Sequence, residues 1–121
     1  MISLQNKLRQ MGVAFAELTD NCYHYYRPLK NLPAIIWAED TEATSFHSNN
    51  IKSCQNIQGT VDLYTKTEFD PLADRIQDTL QRLTNGWSLN SVQYEDETRT
   101  IHMEWVWEVA TDGENAGQGA G

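Results

Sequence analysis

The 121-residue sequence is poor in the features that mark secreted, membrane-spanning and nucleic-acid-binding chains. Its two cysteines, Cys22 and Cys54, lie far apart, and the first residues lack the apolar run of a signal peptide, so we expect free thiols and a cytoplasmic chain. The longest uninterrupted apolar run, 34–38, is far shorter than the ~20 residues that span a bilayer. Only nine Lys and Arg are present, unclustered, and a formal net charge of −8 opposes binding to phosphates.

Patterns that identify common catalytic and metal sites are also absent. The sequence contains no Gly-x-Ser-x-Gly, Walker-type, dinucleotide-binding or His-Glu-x-x-His pattern. His24, His47 and His102 fall on separate predicted elements, so ordinary polar positions explain them better than a metal site does. The acidic groups at 39–40 and 95–97 fall in predicted turns, where solvation explains charge better than acid–base catalysis does. We therefore predict no enzyme, no catalytic residue, no metal and no cofactor.

The stretch 100–109 carries the strongest structural signal that is present. Every second residue in it is apolar and most of the residues between are polar, which is the pattern of a strand with one buried face. The apolar positions are Ile101, Met103, Trp105, Trp107 and Val109. Because alternate side chains of a strand point to opposite faces, both tryptophans must enter one core, which the rest of the chain has to cover.

Two amphipathic helices are predicted to supply that cover. The first has apolar residues at spacings of three and four, starts after a possible cap at Ser3, and contains Gly12, which marks either close packing or a weak point. The second starts at Asp70-Pro71 and ends at Asn85-Gly86. The apolar stripes are Leu4, Leu8, Met11, Phe15 and Leu18 in the first helix, and Phe69, Leu72, Ile76, Leu80 and Leu83 in the second.

The remaining patterns predict further strands at 22–26, 34–38, 57–65 and 87–94, the last with a bulge where its apolar phase shifts between Leu89 and Val92. We therefore predict an α+β fold with a mostly antiparallel or mixed sheet of four to five strands and both helices on one face. The polar stretch 39–56 is predicted to be a long loop or hairpin. We expect one domain over 1–110 and a disordered, Gly-rich tail over 111–121.

Three features of the sequence suggest contacts with other proteins. Tyr23, Tyr25, Tyr26 and Trp37 form a dense aromatic patch near a predicted sheet edge, which either packs in the core or forms part of an interface. The stretch 39–56 has only two large apolar residues, and the outer face of the last strand mixes apolar and acidic residues. The candidate interface residues are therefore Tyr25, Trp37, Phe46, Ile51, Glu104 and Val106.

The whole pattern resembles a known family. Its elements are Pro-Ala-Ile-Ile-Trp-Ala-Glu at 33–39, Val-Asp-Leu-Tyr-Thr-Lys at 61–66 before an acidic-Pro helix start, a Trp-containing strand, and a closing strand of the Ile-His-Met-Glu-Trp type. This order is similar to that of the tail terminators, or tail-completion (head-to-tail joining) proteins, of long-tailed bacteriophages, over roughly 3–109. The resemblance implies a subunit of a hexameric ring that ends the tail tube at its head-proximal end and joins it to the head.

The resemblance also implies the partners: the chain itself, the tail tube protein and a head-completion or connector protein, in a virion made in the host cytoplasm. DNA would pass through the ring without specific binding, which a net negative charge favours. The tail after Ala110 does not match the family pattern. Other hypotheses are a head-closure or connector role in the phage neck, a small ligand-binding or enzyme domain, and a DNA-mimicking regulatory protein.

Overall fold

The described part of the chain folds into two helices and five strands in the predicted order. A computed structural model describes residues 3–26, 31–42 and 54–112. The elements are α1 (Leu4–Ala16), β1 (Cys22–His24), β2 (Ala34–Glu42), β3 (Cys54–Thr65), α2 (Pro71–Leu83), β4 (Gly86–Glu95) and β5 (Thr100–Asp112). The α+β class is thereby confirmed.

Both helices begin at the predicted capping residues. The Ser3 hydroxyl accepts a hydrogen bond from the Asn6 amide at 3.2 Å. The Asp70 carboxylate accepts one from the Leu72 amide at 2.9 Å, with Pro71 at the first helical position. These side chains satisfy backbone donors that have no partner within the first helical turn. The helix starts could therefore be read from local sequence.

The strands form one mixed sheet in the order β1-β2-β3-β5-β4. The short edge strand β1 is parallel to β2, and every other neighbouring pair is antiparallel. In β4 the register with β5 shifts between Leu89 and Ser91, which confirms the predicted bulge. The predicted first strand ends at His24, two residues early, because Tyr25 has a φ of 75° that a strand does not allow.

One hydrophobic core lies between the helices and one face of the sheet. Trp105, Trp107 and Val109 of β5 are fully or almost fully buried there, together with the apolar faces of both helices. Gly59 of β3 lies opposite Trp107, and a Cβ at Gly59 would lie 2.4 Å from the Trp107 ring and 2.3 Å from the Ala38 carbonyl oxygen. The glycine therefore makes the space that the tryptophan fills.

Close packing also explains Gly12 in α1. A Cβ at this position would lie 2.9 Å from Cζ2 of Trp37 on β2. Of the two explanations that the sequence left open, the structure supports close approach of the helix to the sheet. Glycine lowers the helix propensity of α1 at this position, but its lack of a Cβ lets α1 pack directly on the Trp37 ring.

The prediction of a loop or hairpin over 39–56 has to be corrected at both ends. Residues 39–42 belong to β2 and 54–56 belong to β3, so Glu39 and Asp40 lie in a strand and not in a turn. Residues 39–42 are all polar, so no apolar alternation marks the strand in the sequence, and the pairing with β3 also shifts register between Glu39 and Thr41. Residues 43–53, which include the predicted interface residues Phe46 and Ile51, lie outside the described residues.

The last strand also runs past the predicted domain end at 110. Thr111 is buried and pairs with Gln55, and β5 ends at Asp112. A small β-branched residue suits a half-buried strand, so the lack of large side chains was a poor guide to where the strand ends. Residues 113–121 lie outside the described residues. Cys22 is a free thiol, as expected, and burial raises its pKa to about 11.

Candidate functional site

An aromatic stack leads from the core to the surface at the β1 edge of the sheet. The ring centroids of Phe15 on α1 and Trp37 lie 5.7 Å apart. The His24 ring stacks on the Trp37 ring with 3.9 Å between the centroids and an interplanar angle of 10°. Tyr25 stacks on the outer side of His24 at 3.8 Å. The structure therefore brings the predicted residues Tyr25 and Trp37 together, with Trp37 buried and Tyr25 62% exposed.

Glu39 closes this stack with two hydrogen bonds. Its carboxylate lies 2.7 Å from Nε2 of His24 and accepts a second hydrogen bond from the Tyr25 hydroxyl. Partial burial raises the pKa of Glu39, but the hydrogen bonds from Tyr25 and His24 outweigh that effect and leave its pKa below the usual value. The hydrogen bond between the Tyr25 hydroxyl and Glu39 is also the main cause of a raised pKa at Tyr25. Glu39 therefore stays ionised and fixes the orientation of both rings.

A groove of about 500 Å³ runs between α1 and this stack. Leu8, Gly12 and Val13 of α1 form one wall, and Tyr25 and Glu39 form the other. Trp37 also lines the groove, and it is only 5% exposed, so it contributes mainly to the floor. The groove is of mixed character, because Gln5, Arg9 and His24 line it beside the apolar residues of α1.

Glu104 and Val106, the other predicted interface residues that the structure describes, lie on the opposite face of the sheet. No described helix covers that face, where Glu104, Val106 and Glu108 of β5 are half-buried. Asp62 of β3 lies opposite Glu104, and its Oδ1 lies 3.3 Å from Nε2 of His102 without hydrogen-bond geometry. Glu104 accepts a hydrogen bond from the Asn90 side chain at 2.8 Å.

Asp62 is the most perturbed carboxyl group on the uncovered face. Burial between neighbouring strands raises its pKa to about 6; the charge of Glu104 adds to this rise, and the proximity of His102 opposes it. The His102 ring is held in place by stacking on Tyr64 at 4.2 Å. Within the described residues no group of three His, Cys, Asp or Glu side chains is arranged to bind a metal ion.

The structure also exposes four apolar residues that the sequence reasoning missed. Leu89, Val92 and Tyr94 lie on the helix-bearing face of edge strand β4, beyond the reach of α2. Phe69 was predicted to continue the buried apolar stripe of α2, and this prediction is wrong. Phe69 precedes the helix, has a φ of 59° and is 91% exposed. The sequence showed the change of apolar phase after Leu89. It did not show that α2 leaves this part of β4 uncovered.

Comparisons with known proteins give a likeness of fold. No protein-family model matches the chain, and no curated protein matches it in sequence. A chain in the solved structure titled "Virion of native gene transfer agent (GTA) particle" superimposes with a TM-score of 0.55 at 11% sequence identity, over 91% of this chain and 95% of that chain. In the part of the chain that the structure describes, no helix has the length and apolar character needed to span a membrane. At this identity the similarity establishes a shared fold.

Proposed function

We propose that the chain is a structural protein of a phage-like virion. The observation that carries the proposal is its similarity in fold, over almost the whole of both chains, to a protein built into a gene transfer agent virion. The described surface is consistent with a role in binding, because its groove beside α1, its exposed apolar residues and its uncovered sheet face suit contacts with other proteins. The role is one of assembly, without catalytic turnover.

The specific role we propose is that of a tail terminator. Copies of the chain form a ring, hexameric in the family that the sequence resembles, on the head-proximal end of the tail tube. The ring stops polymerisation of the tube and offers the surface to which the head-completion or connector protein binds. A net charge of −8 and the carboxylates of Asp62, Glu104 and Glu108 on the uncovered face disfavour retention of DNA during its passage.

Tube polymerisation in vitro tests this role. A phage tail tube protein is allowed to polymerise with and without the chain, and tube lengths and ends are measured by electron microscopy. We expect the chain to shorten the tubes and to cap one end with a ring. The Trp105→Ala variant, which keeps the net charge but opens a cavity in the core, serves as the control under conditions where circular dichroism shows it unfolded, and there it should leave tube lengths unchanged.

The same experiment separates the two neck roles. Binding of the chain to isolated heads or to the connector, with no binding to tubes and no change in tube length, would favour head closure and contradict the terminator role. Absence of the chain from purified particles would contradict both roles and the proposal of a virion protein.

A further inference from the structure

The exposed large apolar residues fall into two separate patches. We define the α1-edge patch as Val13, Tyr25 and Tyr26, and the β4-edge patch as Phe69, Leu89, Val92 and Tyr94. These seven are all the exposed large hydrophobic residues of the described chain. Scattered exposed apolar residues are normal on a protein surface, but residues gathered at two places suggest two contact surfaces.

The patches lie at opposite edges of the sheet. Tyr25 directly follows edge strand β1 and shares the groove with Val13, whereas three of the β4-edge residues belong to the other edge strand. Phe69 joins them because it lines a cavity with Ile101 and Met103, whose partners across the strand pair are Tyr94 and Val92. Three strands separate the two patches.

Each patch contains an aromatic residue held in an unfavourable backbone conformation. Tyr25 has a φ of 75° and Phe69 a φ of 59°. A positive φ is uncommon for bulky residues and costs on the order of 1 kcal/mol. Phe69 is 91% exposed, so burial within its own chain does not offset that cost. A contact outside the chain would.

The two patches differ in the charges beside them. Arg9 and Arg82 line the surface beside Val13 together with Glu17, and Glu39 lies on the other wall of the groove, so cations and carboxylates are balanced there. The end of β4 and the turn that follows it carry Glu95, Asp96 and Glu97 against one cation, Arg99. The acidic surroundings of the β4-edge patch disfavour its contact with itself and favour its contact with the arginines beside Val13.

We propose that copies of this chain associate head to tail, with the β4-edge patch of one copy packed on the α1-edge patch of the next. Phe69 enters the groove beside α1 of the neighbouring copy. Two different patches at opposite edges form a heterologous contact, which closes into a ring when the rotation between copies permits it. The inference gives an interface to the ring of the proposed function and rests on that function for its biological role.

Two single-patch variants test the arrangement by sedimentation of concentrated protein in high salt. Val13→Asp disables the α1-edge patch and Phe69→Asp the β4-edge patch; both positions are exposed, so folding, checked by circular dichroism, should persist. We expect each variant alone to lose association by about tenfold or more, the loss typical of a central interface residue. A 1:1 mixture should form a heterodimer, because the intact β4-edge patch of Val13→Asp can pack on the intact α1-edge patch of Phe69→Asp. Nothing larger should form, because the two substituted patches cannot pack on each other.

Tyr94→Asp, a second substitution in the β4-edge patch, should weaken association as Phe69→Asp does. Agreement between the two positions would show that the loss comes from the patch and not from one substituted residue. The matched control is Gln93→Asp, which lies next to Tyr94 on the opposite face of β4 and should associate as the parent does. Dimers of either single-patch variant alone would mean that a patch pairs with itself, which would overturn the inference. A parent chain that stays monomeric in concentrated, high-salt solution and forms no ring on the tail tube would also overturn the inference.

The tube assay keeps this inference separate from the proposed function. Rings that still cap tubes when Phe69→Asp is used would overturn the head-to-tail surfaces and leave the terminator role standing. A heterodimer in the mixed sample, combined with no effect of the parent on tubes, would support the surfaces and contradict the terminator role.

Discussion

Trp105 is the residue on which the core depends most. It is fully buried at the centre of β5, and its Nε1 donates a hydrogen bond to Oε1 of Gln77 on α2 at 3.0 Å. We predict that Trp105→Ala lowers the free energy of unfolding by ~3–5 kcal/mol, because the cavity cannot collapse between two packed layers. Denaturant unfolding measures this. The half-buried Trp87 is the comparison, and Trp87→Ala should cost less; equal losses would contradict the assigned burial.

Asp62 is predicted to destabilise the fold at neutral pH. Burial raises its pKa from 3.8 to about 6, so the folded state holds its proton more tightly than the unfolded state does. The destabilisation is therefore complete above pH 6, falls between pH 6 and about 3.8, and vanishes below that range. We predict that Asp62→Asn raises the free energy of unfolding by about 1–3 kcal/mol at pH 7–8.

Chemical denaturation of parent and variant at several pH values between 4 and 8 checks this. The gain from Asp62→Asn should shrink as the pH falls through that window. Asp78→Asn, at an exposed position on α2, is the control and should give a small difference without that trend. A pH-independent gain at Asp62 would mean that its charge is not the cause.

At the scale of elements, two glycines set how closely β3 and α1 approach their neighbours. At Gly59 an added Cβ would meet the Ala38 carbonyl oxygen at 2.3 Å, a backbone atom that cannot move without disturbing the sheet. At Gly12 the nearest atom, at 2.9 Å, belongs to the Trp37 side chain, and alanine also gains ~1 kcal/mol of helix propensity.

We therefore predict that Gly59→Ala lowers the free energy of unfolding by ~3 kcal/mol or more, whereas Gly12→Ala costs ~1 kcal/mol or less. Thermal and denaturant unfolding of the two variants side by side makes the comparison. A Gly12→Ala loss as large as that of Gly59→Ala would show that the Trp37 ring cannot adjust.

At the scale of the whole molecule, net charge opposes self-association. Subunits with a formal charge of −8 repel one another at low ionic strength, while the two apolar edge patches offer a modest attractive surface. We predict a monomer in dilute, low-salt solution and stronger association as salt is added, because screening of the overall repulsion exceeds the loss of a few local charge pairs. The tube then stabilises the ring by binding it.

Analytical ultracentrifugation at two ionic strengths measures this directly. Gln93→Asp, which adds one negative charge away from both patches, should associate slightly less at low salt and like the parent at high salt. A stable hexamer in dilute, low-salt solution would contradict weak association without contradicting the ring itself.

Local patterns determined the elements of this protein. The alternation over 100–109, the helical stripes, and the caps at Ser3 and Asp70 each depend on neighbours within a few residues, so the sequence alone was enough to predict the α+β class and one core. The phase shift in β4 indicated its bulge for the same reason. The net charge, which needs no structure at all, argued against nucleic-acid binding.

Only the tertiary structure decided which surfaces are available. Whether Gly12 marks close packing depends on where Trp37 lies, and the polar ends of the β2–β3 pair form strands because pairing partners distant in sequence satisfy their backbone groups. Phe69 and the far end of β4 are exposed because α2 contacts β5 and the other end of β4, where Gln77 accepts a hydrogen bond from Trp105 and Gln81 accepts one from Trp87. Such outcomes depend on how the helices are placed on the sheet, which no local pattern encodes.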